Sequence, residues 1–170
     1  TPALGPNWVW SQGFIATDDT TGCLISNSWF TAPAAASNYL ITPPIQIIDA
    51  NATLNWKSAP YQTPLYLDGY KILVSTTSND TPDYTDTIFV AGEYTSGSST
   101  NGGNYSAYTF STGFIHGLDG TYIEYDNDSA RFAGVLRPFS VSLAAYAGQS
   151  IYIAFVHDAF DDNLLAVDDI

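Results

Sequence analysis

Carboxylates are the chemistry this sequence offers in quantity, and they are clustered. Asp18-Asp19 follows the apolar stretch Gly13-Phe14-Ile15. Asp158, Asp161 and Asp162 form a loop after the strongest apolar run, and Asp168-Asp169 lies inside the closing segment Leu164-Leu165-Ala166-Val167-Asp168-Asp169-Ile170. Neighbouring residues of a strand point to opposite faces, so one acid of the last pair is expected to face inward. Burying an unpaired carboxylate is costly, and a hard cation with oxygen ligands removes that cost. Bases cannot do it throughout, because four Lys and Arg face 17 acids, for a net charge of -13. Asp18, Asp19, Asp161, Asp162, Asp168 and Asp169 are therefore candidate ligands for Ca²⁺. The plainer reading, solubility and turn chemistry, covers most of the other aspartates.

Catalytic patterns are scarce. The sequence contains no Gly-x-Ser-x-Gly, no His-Glu-x-x-His and no phosphate-binding glycine loop. His116 and His157 are the only histidines, and Cys23 the only cysteine. One reading is a Cys–His thiol site, but a lone Cys in a β core is more often a packing residue. Glu93 and Glu124 are the only glutamates; as a glycosidase pair they would need a cleft that nothing in the pattern selects. Trp8, Trp10, Trp29 and Trp56, with Tyr61, Tyr66 and Tyr84, supply aromatics for a sugar-stacking surface. Trp56, within Leu54-Asn55-Trp56, reads as core, whereas the three tyrosines are the ligand-binding candidates. Asn51, Asn79, Asn104 and Asn127 head N-glycosylation triplets, and Thr20, Thr87 and Ser129 follow Asp in a pattern read as O-glycosylation.

Strands must position these groups. Of the 170 residues, 45% are apolar and 15% aromatic, enough for the core of one domain. Tyr, Thr and Ser abound while Met is absent, which suits pleated surfaces better than helices. Period-two segments recur at Tyr39–Ile48 (broken by Pro43-Pro44), Thr53–Trp56, Gly69–Ser75, Thr87–Ala91, Tyr105–Phe110, Thr121–Tyr125, Arg131–Leu136, Phe139–Leu143, Ser150–His157 and Leu164–Ile170. Gly69–Ser75, apolar on both faces, is expected at a central position. Thr95–Asn104 reads as a flexible loop. So many short, evenly spaced strands imply a sandwich or barrel. A lone cysteine allows no intrachain disulfide, and no apolar run is long enough for a transmembrane helix. The acidity disfavours nucleic acid and anionic membrane surfaces as partners. Starting at Thr1 without a signal peptide and stopping within an apolar pattern, the sequence reads as a mature or excised piece of a longer secreted protein.

Several blocks, taken in order, resemble one family. They are Ser26-Asn27-Ser28-Trp29-Phe30 with Ser37-Asn38-Tyr39-Leu40-Ile41-Thr42-Pro43-Pro44-Ile45, then Leu54-Asn55-Trp56-Lys57-Ser58-Ala59, then Asp68-Gly69-Tyr70-Lys71-Ile72-Leu73-Val74-Ser75-Thr76-Thr77. Ser142–His157 and Leu165–Ile170 complete the set. Together they resemble the cleaved adhesin, or choice-of-anchor J, family, the type found in gingipain haemagglutinin regions of Bacteroidetes. The resemblance implies one all-β domain over residues 1–170, a jelly-roll β-sandwich of two antiparallel sheets with structural Ca²⁺. It further implies a secreted or cell-surface, non-catalytic binding module. Expected partners are a host or matrix protein, a glycan, or other domains of the same polypeptide. A carbohydrate-binding module and a structural protomer of a surface filament are the competing roles. Asp168 and Asp169 match the closing acidic pair of the family. Asp18-Asp19-Thr20-Thr21-Gly22 departs from the Asp-x-Asp-Gly pattern usual in its N-terminal loop.

Overall fold

The structure, a computed structural model, describes residues 7–12, 22–60, 68–91, 136–160 and 163–170. Ten strands are found among them: β1 (Val9–Ser11), β2 (Cys23–Asn27), β3 (Asn38–Ile41), β4 (Ile45–Gln46), β5 (Thr53–Pro60), β6 (Tyr70–Ser75), β7 (Asp86–Ala91), β8 (Arg137–Ser142), β9 (Ser150–His157) and β10 (Leu164–Asp168). Sheet I runs in the order β1-β2-β10-β5-β8. Sheet II runs β3-β9-β6-β7, with β4 also paired to β9. Every pairing is antiparallel. The two sheets form the expected sandwich.

Most expected strands are present. The Pro43-Pro44 pair splits one segment into β3 and β4, and both pieces lie along β9. Strand β6 is flanked by β9 and β7, the central position that its two apolar faces call for. Pro138, which cannot donate to a ladder, sits on β8, the last strand of sheet I among the described residues. Strands β1 and β2 have no counterpart among the segments that alternation marks. The residues Tyr105–Phe110, Thr121–Tyr125 and Thr95–Asn104 lie outside the described set, as does all but Leu136 of the Arg131–Leu136 segment.

Register puts one face of each strand between the sheets. Trp56 and Phe139 from sheet I meet Phe89 and Phe155 from sheet II. The Trp56 ring centroid lies 4.8 Å from that of Phe89, 5.7 Å from Phe139 and 5.9 Å from Phe155. Ile72, Val74, Ile151, Ile153, Leu165 and Val167 complete this core. Tyr70 places a wholly buried hydroxyl inside it. Trp56 Nε1–H donates to the Tyr70 hydroxyl at 2.7 Å, and Ser58 Oγ shares a hydrogen bond with the same oxygen at 2.7 Å. Tyr70 thus ties sheet II to two residues of β5.

Two turns show why particular residues are needed. Gly22 enters β2 at φ +103°, and a Cβ there would stand 2.7 Å from Ser11 O and 2.9 Å from Trp10 Cζ2. Only glycine fits both the conformation and the space. At the same end of sheet I, beside the start of β2, β10 stops at Asp168, and Asp169 turns into the left-handed region at φ 50°.

Burial raises the Tyr70 pKa far above the usual phenol range, and the bonds from Ser58 and Trp56 only partly oppose it. Unfolded, the same phenol ionises near about 10. The folded state therefore retains a proton that the unfolded state loses above that pH. Stability is intact below pH 10 and falls as pH rises beyond it, by up to about 1.4 kcal/mol per pH unit. Tyr70→Phe is expected to cost about 1–3 kcal/mol at neutral pH, because Trp56 N–H and the Ser58 hydroxyl lose a buried partner. It should also shrink that alkaline loss. Urea unfolding of both proteins at pH 7 and above pH 10 measures both effects.

Candidate functional site

Beside Tyr70 the interior turns polar, and strand register explains how. His157 of β9 is the cross-strand partner of Tyr70 on one side and of Asn38 on the other. Asp68 stands two residues before Tyr70, on the same face of the chain. Opposite them, β2 directs Ser26 inward, since Ser26 pairs with Leu165 of the core. Ser26, Ser28, Asp68 and His157 are wholly buried, with Asn38 at 3% exposure.

These groups satisfy one another. Asp68 Oδ1 accepts from the Ser28 hydroxyl at 2.7 Å and from His157 Nε2 at 2.9 Å. Its Oδ2 accepts the Asn163 N–H at 2.9 Å. His157 Nδ1 lies 2.8 Å from Ser26 Oγ, which also accepts from Asn38 Nδ2 at 2.8 Å. One imidazole tautomer closes the set: Nε2 carries the hydrogen toward Asp68, and Nδ1 accepts the Ser26 hydroxyl. The second Asn38 Nδ2–H goes to Asn27 O at 3.1 Å. Trp8 roofs this end, donating Nε1–H to Asn38 O at 3.1 Å with its ring 6.4 Å from that of His157.

Ser, His and Asp in contact suggest nucleophilic catalysis. Here all three are sealed from solvent, and the serine oxygen is already engaged by Asn38 and His157. The constellation acts as a cross-brace. It joins β2 to β9, and through Asp68 it clamps both the start of β6 and Asn163 ahead of β10. Ser28 N–H adds a bond to Asn163 O at 2.9 Å, and Ala36 N–H one to Ala159 O at 2.8 Å. Residues 28–37 are thereby held beside Ala159 and Asn163.

Asp18, Asp19, Asp161, Asp162, Tyr61, Tyr66, Thr20 and Ser129 are outside the described residues, as are Glu93, Glu124 and His116. Neither acid of the closing pair faces the core as strand alternation suggested. Asp168 pairs with Lys57 across the ladder, on the face opposite Val167. Asp169 lies past the strand end, and its carboxylate meets Lys57 Nζ at 3.0 Å. Lys71 likewise holds Asp158, at 2.6 Å. Tyr84 offers no face to a sugar. It is buried with Leu73, Ala154 and Val156 on the outer side of sheet II, where burial, then the nearby Tyr152, raises its pKa. Thr87 is exposed on β7. Cys23 is buried against Ile25, Ala59 and Ala166, and both nitrogens of His157 are taken by other residues. Among the described residues, no three His, Cys, Asp or Glu side chains stand together as a metal site.

Comparison with known proteins adds to this geometry. The family model of the Cleaved Adhesin Domain matches residues 2–170. Hemagglutinin A of Porphyromonas gingivalis is 25% identical over 160 residues, covering 90% of this chain but 6% of that protein. The chain therefore spans a small fraction of that relative. The crystal structure of the K1 cleaved adhesin domain of Lys-gingipain from P. gingivalis W83 is similar, with a TM-score of 0.65 at 20% identity, covering 98% of this chain and 82% of that one. The K3 domain of the same protein gives 0.62 at 20% identity, covering 98% and 84%.

Replacing Asp68 by Asn keeps the shape but points an amide N–H at a group that itself donates. Asp68→Asn is expected to destabilise the domain by about 1–3 kcal/mol, the cost of leaving a buried donor without its acceptor. Hydrogen exchange should show the amides of Ser28, Ala36 and Asn163 losing protection beyond this global loss. Equal loss throughout the sandwich would argue against a local brace.

Proposed function

The chain belongs to the cleaved adhesin domain family, and from that membership we propose that it works as a calcium-stabilised adhesion module of a secreted or cell-surface protein, without catalysis of its own. The match across residues 2–170 carries this reading. The sealed Ser26–His157–Asp68 set supports its non-catalytic part, because these groups brace the interior and cannot reach a substrate. One relative bears the name hemagglutinin, which points to red-cell surfaces among the partners. A matrix protein, a glycan or a neighbouring domain of the same polypeptide fits the module equally.

Calcium belongs to the proposal through charge. Thirteen uncompensated negative charges remain at neutral pH, and a divalent ion relieves part of that repulsion. Asp169 does not fit as a free ligand, because Lys57 already holds it. Asp168 is half-buried and is the described candidate. The other proposed ligands are Asp18, Asp19, Asp161 and Asp162.

Extracellular modules bind calcium with Kd near about 10⁻³ M. At tenfold excess, binding to the native state alone adds about 1.4 kcal/mol and raises Tm by about 3–6 °C. Thermal melts of chelator-treated protein, with and without calcium, measure this; a Tm indifferent to calcium removes the metal and leaves adhesion standing. Adhesion has its own assay. Beads coated with the domain should retain erythrocytes or a matrix protein above the level of uncoated beads, and no retention across such a panel would overturn the adhesive role.

A further inference from the structure

Trp29 combines an exposed side chain with a restrained backbone. Its side chain is 61% exposed. Its backbone, by contrast, is held on both sides by the buried Asn27 amide: Nδ2–H donates to Trp29 O at 2.9 Å, and Oδ1 accepts Trp29 N–H at 3.1 Å. The preceding residue, Ser28, is wholly buried and locked to Asp68 and Asn163. The indole thus projects from a fixed base. Phe160, 37% exposed, lies on the neighbouring connection, bridged to Ala35. Trp10, 62% exposed, lies instead on the three-residue margin strand β1.

An exposed aromatic on a restrained backbone loses little further entropy on binding, which is how rigid Trp anchors contribute to affinity. We propose that Trp29 is the anchor of a docking surface for a cationic partner, a protein segment bearing exposed arginine or lysine. This rests on the adhesion reading above and names its locus and partner class. Charge complementarity selects the partner. The chain carries 17 acids against four bases, and both lysines are already engaged, Lys57 by Asp169 and Lys71 by Asp158. Its field attracts a basic segment and repels an acidic one. The face of tryptophan is also the strongest aromatic partner for guanidinium or ammonium.

The test titrates a nine-arginine peptide into the intact 170-residue chain, following the four indole N–H resonances by NMR. The Trp29 signal should shift saturably, that of Trp10 should not, and binding should weaken with salt. Trp29→Ala leaves net charge unchanged, and its ring is exposed, so Tm should hold. Affinity should nevertheless fall about fivefold or more, against less than about twofold for Trp10→Ala. Equal affinity of wild type and Trp29→Ala overturns the proposal, as does failure of the wild type to bind the peptide. So does a Trp29 shift produced by a neutral oligosaccharide and not by the peptide. The peptide titration judges Trp29 and the bead assay judges adhesion, so the two readings fail separately.

Discussion

A carboxylate with no access to water is the constraint around which this end of the sandwich is organised. Left bare, Asp68 would oppose folding by several kcal/mol. Three donors from separate parts of the chain meet it: the Ser28 hydroxyl, His157 Nε2 and the Asn163 N–H. Each donor needs its own support, so the requirement spreads outward. His157 needs Ser26, and Ser26 Oγ also receives Asn38. The Asn38 carbonyl is in turn capped by Trp8. None of these residues can move without leaving a buried polar atom unmatched.

The sandwich thus divides its work. The aromatic cluster around Trp56 removes apolar surface from water, a force that is large but indifferent to small slips. The polar set does not tolerate slips. A one-residue shift of β2 would turn Ser26 outward and bring Ile25 or Asn27 to the histidine. Tyr70 links the two systems, standing beside His157 in the ladder while its hydroxyl joins Trp56 and Ser58. Stability and registration are accordingly supplied by neighbouring but different chemistry.

The same brace bears on adhesion. Connections between strands usually carry binding residues, and they do so best when the scaffold fixes them. Here the 28–37 connection is held from beneath by buried polar groups, leaving Trp29 outside on a restrained backbone. The strongly acidic composition acts at longer range, favouring cationic surfaces during encounter and keeping the domain soluble. Interior order and exterior recognition thereby meet in the short run Asn27-Ser28-Trp29.

Alternation is a local property, and what depended on it was legible in the sequence: the all-β class, the split at Pro43-Pro44, the central place of β6, the extent of β9 and the buried Trp56. Strand β2 escaped notice because its inward Ser26 interrupts the apolar pattern, and that serine is part of the brace. The closing acids were misjudged because alternation does not say where a strand ends; β10 stops at Asp168, and Asp169 turns to Lys57. Tertiary structure alone decided which polar residues meet. Ser26 and His157 are 131 residues apart, and His157 and Asp68 are 89 apart. Their contact arises only when three ladders and the packing of two sheets are in register, and no local pattern encodes that.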